Sequence, residues 1–225
     1  MLIIPETSRV PRTEDNYIHT ASGRKFWPLD PRADEIFIED IAHHLANECR
    51  FGGATCFHYS VAQHSLHVSY LAENLMADAW RNLKLTPINR VIYTRAVALW
   101  GLLHDAPEAY LKDIPRPIKH APGFGELYLR AERTLMAEVI TRFDLQSTEP
   151  HAVKVADVIL CNTEQRDLLS ASIAHRVAET LPEMIRPMEP AAAEKLFLHR
   201  FHALTKAREA EHLATVAQDR AWLHF

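Results

Sequence analysis

Residues 91–103, VIYTRAVALWGLL, run without a break into His104-Asp105, and this stretch decides the fold class. Its one charged residue is Arg95, and apolar side chains fall on nearly every face of the helix it spells. A helix that is apolar all round belongs in the middle of an all-helical domain rather than on its surface. His104 and Asp105 then set a nitrogen donor and an anionic oxygen donor at its end, where bare charge beside a core is costly. The pair is either solvated past the helix terminus or it coordinates something, and His with a carboxylate is an ordinary ligand set for a divalent cation.

Helical signals continue on both sides. Upstream, Ser60 with Gln63 three residues later forms a capping box, predicting a helix through SVAQHSLHVSYLAENLMADAW with Val61, Val68, Leu71 and Leu75 on the buried face. Before it, Ile38, Ile41, Leu45 and Cys49 recur at helical intervals in FIEDIAHHLANECRF, and Gly52-Gly53 can end that helix. Downstream, Pro107 suits the start of a short helical turn. Residues 112–125, KDIPRPIKHAPGFG, read as a loop because of their prolines and glycines. Helices are predicted over ELYLRAERTLMAEVITRF and from near Pro150 through HAVKVADVILCNTEQRDLL. After the connection LPEMIRPMEP, one or two amphipathic helices close the chain. Residues 1–35, punctuated by Pro5, Pro11, Pro28 and Pro31, read as an irregular or briefly extended lead-in. The expected organisation is one domain over 1–225, with a lead-in (1–35), a core (36–175) and a C-terminal helical extension (176–225). That extension suits capping of the bundle or a homodimer interface.

Composition narrows the function classes. With 48% apolar and 24% charged residues the chain is not mostly disordered. A net charge of −4 offers no global attraction for phosphate polymers, so no stable nucleic-acid partner is expected. Six glycines in 225 residues argue against folds built on many tight turns, and 14 histidines are a first hint of chemistry. Cys49, Cys56 and Cys161 form no C-x-x-C pair, which points away from a disulfide scaffold or thiolate zinc finger and towards a cytoplasmic location. The MLIIP run is too short for a signal-peptide core, and no uncharged run approaches the roughly 18 residues of a membrane span. Phosphate-loop, dinucleotide-binding and nucleophile-elbow motifs are absent, and Gly123-Phe124-Gly125 alone reads as a plain turn.

Two more residues break apolar surroundings. His64 stands beside Val61 and Val68, with His67 one turn on, although a lone His there is more often a core residue bonded to backbone. Asp157 is flanked by Val155, Ala156, Val158 and Ile159, unless it belongs to an exposed stripe with Lys154 and Cys161. Taken jointly, three apolar helices each present a metal-compatible side chain where packing predicts none, and one shared cation would neutralise all three anomalies. Two His and two Asp leave positions open on a six-coordinate ion, as in a catalytic rather than a closed structural site.

His64 in SVAQHS, His104-Asp105 in LLHDAPEAY and Asp157 in KVADVIL follow, in order, an H…HD…D pattern. The chain thereby resembles the HD-domain metal-dependent phosphohydrolases, most closely the small bacterial and phage branch that includes the 5′-deoxynucleotidases. The resemblance takes in SGRKFWPLDP, IEDIAHHLANECRFGG, FHYSVAQHS, HDAPEAYLKDIPRPIK and TEQRDLL. It implies an all-α HD-domain helical bundle with a metal site between helices, and His64, His104, Asp105 and Asp157 as ligands of one divalent ion (Mn, Co, Ni, Fe, Zn or Mg). It further implies Glu108 beside the attacking water, Asp113 as a second assisting acid, Arg50 on the substrate phosphate and Lys119 near it. Phe51 stands where members of known deoxyribose preference carry Trp. Without the resemblance, Glu108 suits a helix N-terminus, and Arg50, Arg116 and Lys119 are ordinary surface charge. Glu164, seven residues after Asp157, could order a ligand or a loop and is left unassigned.

The implied activity is hydrolysis of the phosphate ester of a small nucleotide, a (deoxy)nucleoside 5′-monophosphate first. The alternatives are a (deoxy)nucleoside triphosphate triphosphohydrolase and a non-catalytic metal- or nucleotide-binding protein. A di-iron oxidase needs more His or Asp ligands than a consistent set supplies. One metal is favoured because no H-H-E extension follows the HD segment, while His58 and His67 leave a second site open.

Overall fold

The structure is a computed structural model describing residues 10–80, 87–170 and 179–221, with side chains as far as residue 206 in the last helix. The MLIIP run and the expected boundary at 175–176 lie outside the described residues. Helices α1 (Ile38–Asn47), α2 (Val61–Trp80), α3 (Pro87–Leu103), the short α4 (Glu108–Leu111) and α5 (Arg116–Lys119), α6 (Phe124–Phe143), α7 (His151–Leu168) and α8 (Pro190–Ala221) make an all-α bundle. A two-residue hairpin, β1 (Ile18–His19) with β2 (Lys25–Phe26), is the strand structure among the described residues. Helices α2 and α3 form the most extensive contact; α7 lies against α2, and α8 lies across α1, α2 and α3. No helix among the described residues is long and apolar enough to cross a membrane.

Local chemistry explains where the elements begin and end. The Ser60 hydroxyl accepts the Gln63 amide at 3.1 Å, one half of the capping box. The reciprocal half is not made, because the Gln63 amide group donates to the Arg186 carbonyl at 2.6 Å and accepts the Met188 amide at 3.0 Å. Gln63 thus pins the proline-bearing connection to α2. Helix α1 ends at Asn47 rather than at Gly52-Gly53, since the following residues leave it to pair with the entry to α2 through a Cys49–Ser60 bridge. Phe51, Gly52 and Gly53 then take positive φ values of 57°, 60° and 79° in the turn that carries the chain back. The 112–125 segment is not wholly a loop, because Arg116–Lys119 coil into α5. Gly125 lets α6 meet that helix: a Cβ there would lie 2.5 Å from the Lys119 carbonyl oxygen.

Helix α3 is buried on all sides only in its second half. Val97 to Leu103 are buried, whereas Val91 and Tyr93 are exposed. Gly101 is the point of closest approach to α2, where an added Cβ would meet the Ser69 Cα at 3.2 Å. On the far side, Arg200 of α8 donates to the Ser69 hydroxyl at 3.1 Å and to Glu73 at 2.6 Å, and Ser69 donates to the Ala98 carbonyl at 2.7 Å. Phe197, Phe201 and Leu204 bring α8 into the same core as α1 and α3. The lead-in is docked too: buried Asp40 accepts the Ser22 amide and hydroxyl, and Phe26 stacks on Tyr110 at 4.1 Å.

Candidate metal centre

The close approach of α2 to α3 at Gly101 has a chemical outcome one turn further on. His64, near the start of α2, and His104, at the end of α3, bring their Nε2 atoms to 3.3 Å. Asp105 Oδ2 lies 3.2 Å from His104 Nε2 and 3.6 Å from His64 Nε2. Asp157 Oδ1 reaches in from α7 to 3.2 Å from His64 Nε2 and 4.0 Å from His104 Nε2. His64, His104 and Asp105 form a group whose donor atoms lie within 4.8 Å of one another. A single ion bonded at about 2.1 Å separates neighbouring donors by about 3 Å and opposite ones by about 4.2 Å. The five separations given fall in that range, while Asp157 stands outside the group of three whose donors are all mutually close. The His64 side chain is 0% exposed and the Asp157 side chain 41%, so the centre opens to solvent on the α7 side.

The second nitrogen of each ring decides what the first can do. His104 Nδ1 faces the Gly101 carbonyl at 2.8 Å, which only accepts, so this nitrogen carries the proton. His64 Nδ1 donates in the same way to Glu164 Oε1 at 2.6 Å. In their neutral forms the two rings therefore aim both Nε2 lone pairs, together with two carboxylates, at one small region. Four electron-rich atoms so close need either a cation or extra protons, and a donor held by carboxylate or carbonyl on its far nitrogen is a common arrangement around metals. In the apoprotein, protons do this work. Burial opposes charging His104, but Asp105 and Asp157 push its pKa up to about 9. Burial and Arg50 likewise oppose charging His64, and Glu164 with Asp157 still raises it. Burial works against ionising Asp105, yet His104, His64 and Arg50 hold it well below the usual carboxylate range. The donor set fits a divalent cation.

Arg50 follows the Cys49–Ser60 bridge, its amide bonded to the Tyr59 carbonyl at 2.9 Å. Its side chain is largely buried, with Nε on Glu164 Oε2 at 3.1 Å and one terminal nitrogen 3.4 Å from Asp105 Oδ2. It stands next to the four donors. Glu108, the first residue of α4, is buried, and its Oε2 finds no hydrogen-bond partner among the described residues. Burial, then the charges of Asp105 and Asp113, push the Glu108 carboxyl well above its ordinary pKa against Arg50 and Lys119. Asp113, half-buried, is also raised, by burial and by Asp105 against Arg50. Lys119 sits 3.8 Å from Glu108 Oε1 but is held chiefly by Glu132 at 2.5 Å. Arg116 is exposed.

One acid, Glu164, stays unassigned in the sequence reading, and another, Glu149, escapes it. Glu164 is fully enclosed and joins His64 to Arg50. In TEQRDLL it breaks no apolar pattern; its seven-residue spacing from Asp157 was the one available signal. Glu149, before α7, has its pKa raised by desolvation and by Asp157 and Asp105, with His104 opposing. No local pattern marks it.

The family model described as 5′-deoxynucleotidase YfbR-like matches residues 41–171, the span that holds every donor above. The uncharacterized protein YfdR of Escherichia coli is 34% identical over 200 residues, covering 86% of this chain and 98% of that one. An uncharacterized protein of Rhodobacter capsulatus is 34% identical over 203 residues, covering 83% of this chain and 94% of its own. With the family span and the helical bundle in agreement, the chain belongs to the YfbR-like 5′-deoxynucleotidase family of HD-domain phosphohydrolases.

Proposed function

We propose that the protein hydrolyses the phosphate ester of (deoxy)nucleoside 5′-monophosphates with one divalent cation, held by His64, His104, Asp105 and Asp157. The observation that supports this reading is the approach of the His64, His104 and Asp105 donors to within 4.8 Å of one another, with Asp157 beside His64 and both imidazoles bonded through Nδ1, next to a buried arginine and a buried acid. When bound, a divalent cation supplies Lewis acidity, which acidifies water and withdraws charge from a phosphoryl oxygen.

The chain's own residues do the rest. The Arg50 guanidinium, steadied through Nε, offers its terminal N–H groups to phosphoryl oxygens, a geometry suited to bidentate contact. Glu108 carries the proton that the departing 5′-oxygen needs, and its enclosure keeps water from taking that proton first. Burial, with the charges of Asp105 and Asp113, favours the protonated form of Glu108. Lys119, through Glu132 and Glu108, holds α5 against the acid and adds positive charge at the phosphate.

The test is product analysis with ribo- and deoxyribonucleoside 5′-mono- and triphosphates in the presence of Mn²⁺, Co²⁺ or Ni²⁺. Inorganic phosphate should appear from the monophosphates, and a chelator or His104→Ala should abolish it. Tripolyphosphate from the triphosphates would reassign the substrate class. Metal binding without turnover of any nucleotide would refute hydrolysis and leave a binding protein.

A further inference from the structure

Glu164 has no part in the steps above, yet it is where the two halves of the site touch. Its carboxylate is fully enclosed on α7, with Oε1 on the His64 Nδ1–H at 2.6 Å and Oε2 on the Arg50 Nε–H at 3.1 Å. Each oxygen therefore has one committed donor from a different part of the site. Arg50 has a second acidic neighbour in Asp105 Oδ2, 3.4 Å from its terminal nitrogen. Arg50 is thus a potential competitor for one of the four donors. Glu164 holds that guanidinium by Nε at one place, and it holds His64 in the tautomer whose Nε2 lone pair faces the other donors.

We propose that Glu164 is a positioning residue that couples cation binding to phosphate binding, through His64 on one oxygen and Arg50 on the other. The proposal rests on the cation and phosphate roles assigned above. An anion that engages Arg50 draws it from Asp105 and leaves that carboxylate to the cation, so each ligand strengthens the other, as reciprocity requires. Without Glu164, the His64 ring is free to turn or to carry its proton on Nε2, and Arg50 is free to settle on Asp105.

Glu164→Gln is nearly isosteric and separates coupling from simple support. Its single amide oxygen can serve one of the two donors, while its NH₂ must face the other. The probes are Mn²⁺ alone, by titration calorimetry, and inorganic phosphate, as a competitive inhibitor. Mn²⁺ affinity should fall about 10–100-fold, and the phosphate inhibition constant should rise about tenfold. Arg50→Ala should weaken phosphate without weakening Mn²⁺. At saturating Mn²⁺, phosphate inhibition in the double variant should match that of Arg50→Ala alone, because with the cation site filled Glu164 reaches the anion only through Arg50. A downfield His64 Nδ1–H proton resonance, present in the apoprotein, should vanish in Glu164→Gln; mere scaffolding would lower only the thermal midpoint. Should Glu164→Gln fail to fold, Glu164→Asp keeps the charge but reaches only one donor, so one affinity should fall and the other hold. Affinities within about twofold of the parent protein, or additive losses in the double variant, overturn the coupling and leave the hydrolase reading standing. A parent protein that binds no Mn²⁺ overturns both.

Discussion

At Glu108, burial and two neighbouring acids act in the same direction, and the consequence is a carboxyl group that ionises less readily than most. Turnover should accordingly fall as pH rises through the raised Glu108 pKa, since the proton needed by the leaving oxygen is then gone. Glu108→Gln should remove that basic limb and lower kcat about 100-fold or more. The same substitution should stabilise the fold. Ionising a group whose folded pKa is raised costs folding free energy, so the parent protein loses stability with rising pH while the amide does not. The gap between their melting midpoints should widen as pH rises, which thermal scans across the pH range would check. Legibility at this scale followed a single rule. His64, His104, Asp105 and Asp157 stand out in the sequence because each interrupts or ends an apolar helix; donors of the first three lie within 4.8 Å of one another, and Asp157 lies 3.2 Å from His64. Glu164 interrupts nothing, and its Arg50 partner is 114 positions away, a distance over which sequence spacing carries no signal.

Among the elements, the contact that matters most to the site is the crossing of α2 and α3. Gly101→Ala would drive a methyl group against the Ser69 backbone, which cannot swing aside as a side chain can. Separation of the helices should cost about 1–3 kcal/mol of stability and should also weaken Mn²⁺ binding by opening the 3.3 Å approach of the two imidazoles. Denaturant unfolding and metal titration of this variant check both effects; unchanged affinity would detach the crossing from the centre. Helix starts were more legible than helix ends. Ser60 announces α2 through its own hydroxyl, a local bond. The end of α1 is set by pairing of Glu48 and Cys49 with residues beyond the turn, and the Gln63 side chain bonds a segment more than a hundred residues later. Neither pairing could be read from a local window. Helix α5 was hidden because proline signals a break, yet Pro117 sits near a helix start, where its missing amide costs nothing.

For the molecule as a whole, the donor cluster ties folding stability to pH and to metal. In the apoprotein the His104 pKa is raised from 6.5 to about 9, so its contribution to stability is fully present below about 6.5 and lost as pH rises through about 9. Protons and a cation compete for the same donors. The rise in melting midpoint on adding Mn²⁺ should therefore grow across that interval, to several degrees, and a chelator should reverse it; a rise independent of pH would contradict the shared site. Glycine poverty and histidine excess had already indicated a helical, His-bearing protein, but not which helices meet. That depends on Arg200, whose bonds to Ser69 and Glu73 brace α2 from the last helix. The brace also has a temporal meaning. During synthesis on the ribosome, the chain emits His64 long before Asp157, and Arg200 later still, so the nascent polypeptide cannot bring the proposed cation donors together until α7 has emerged, nor brace them until α8 follows.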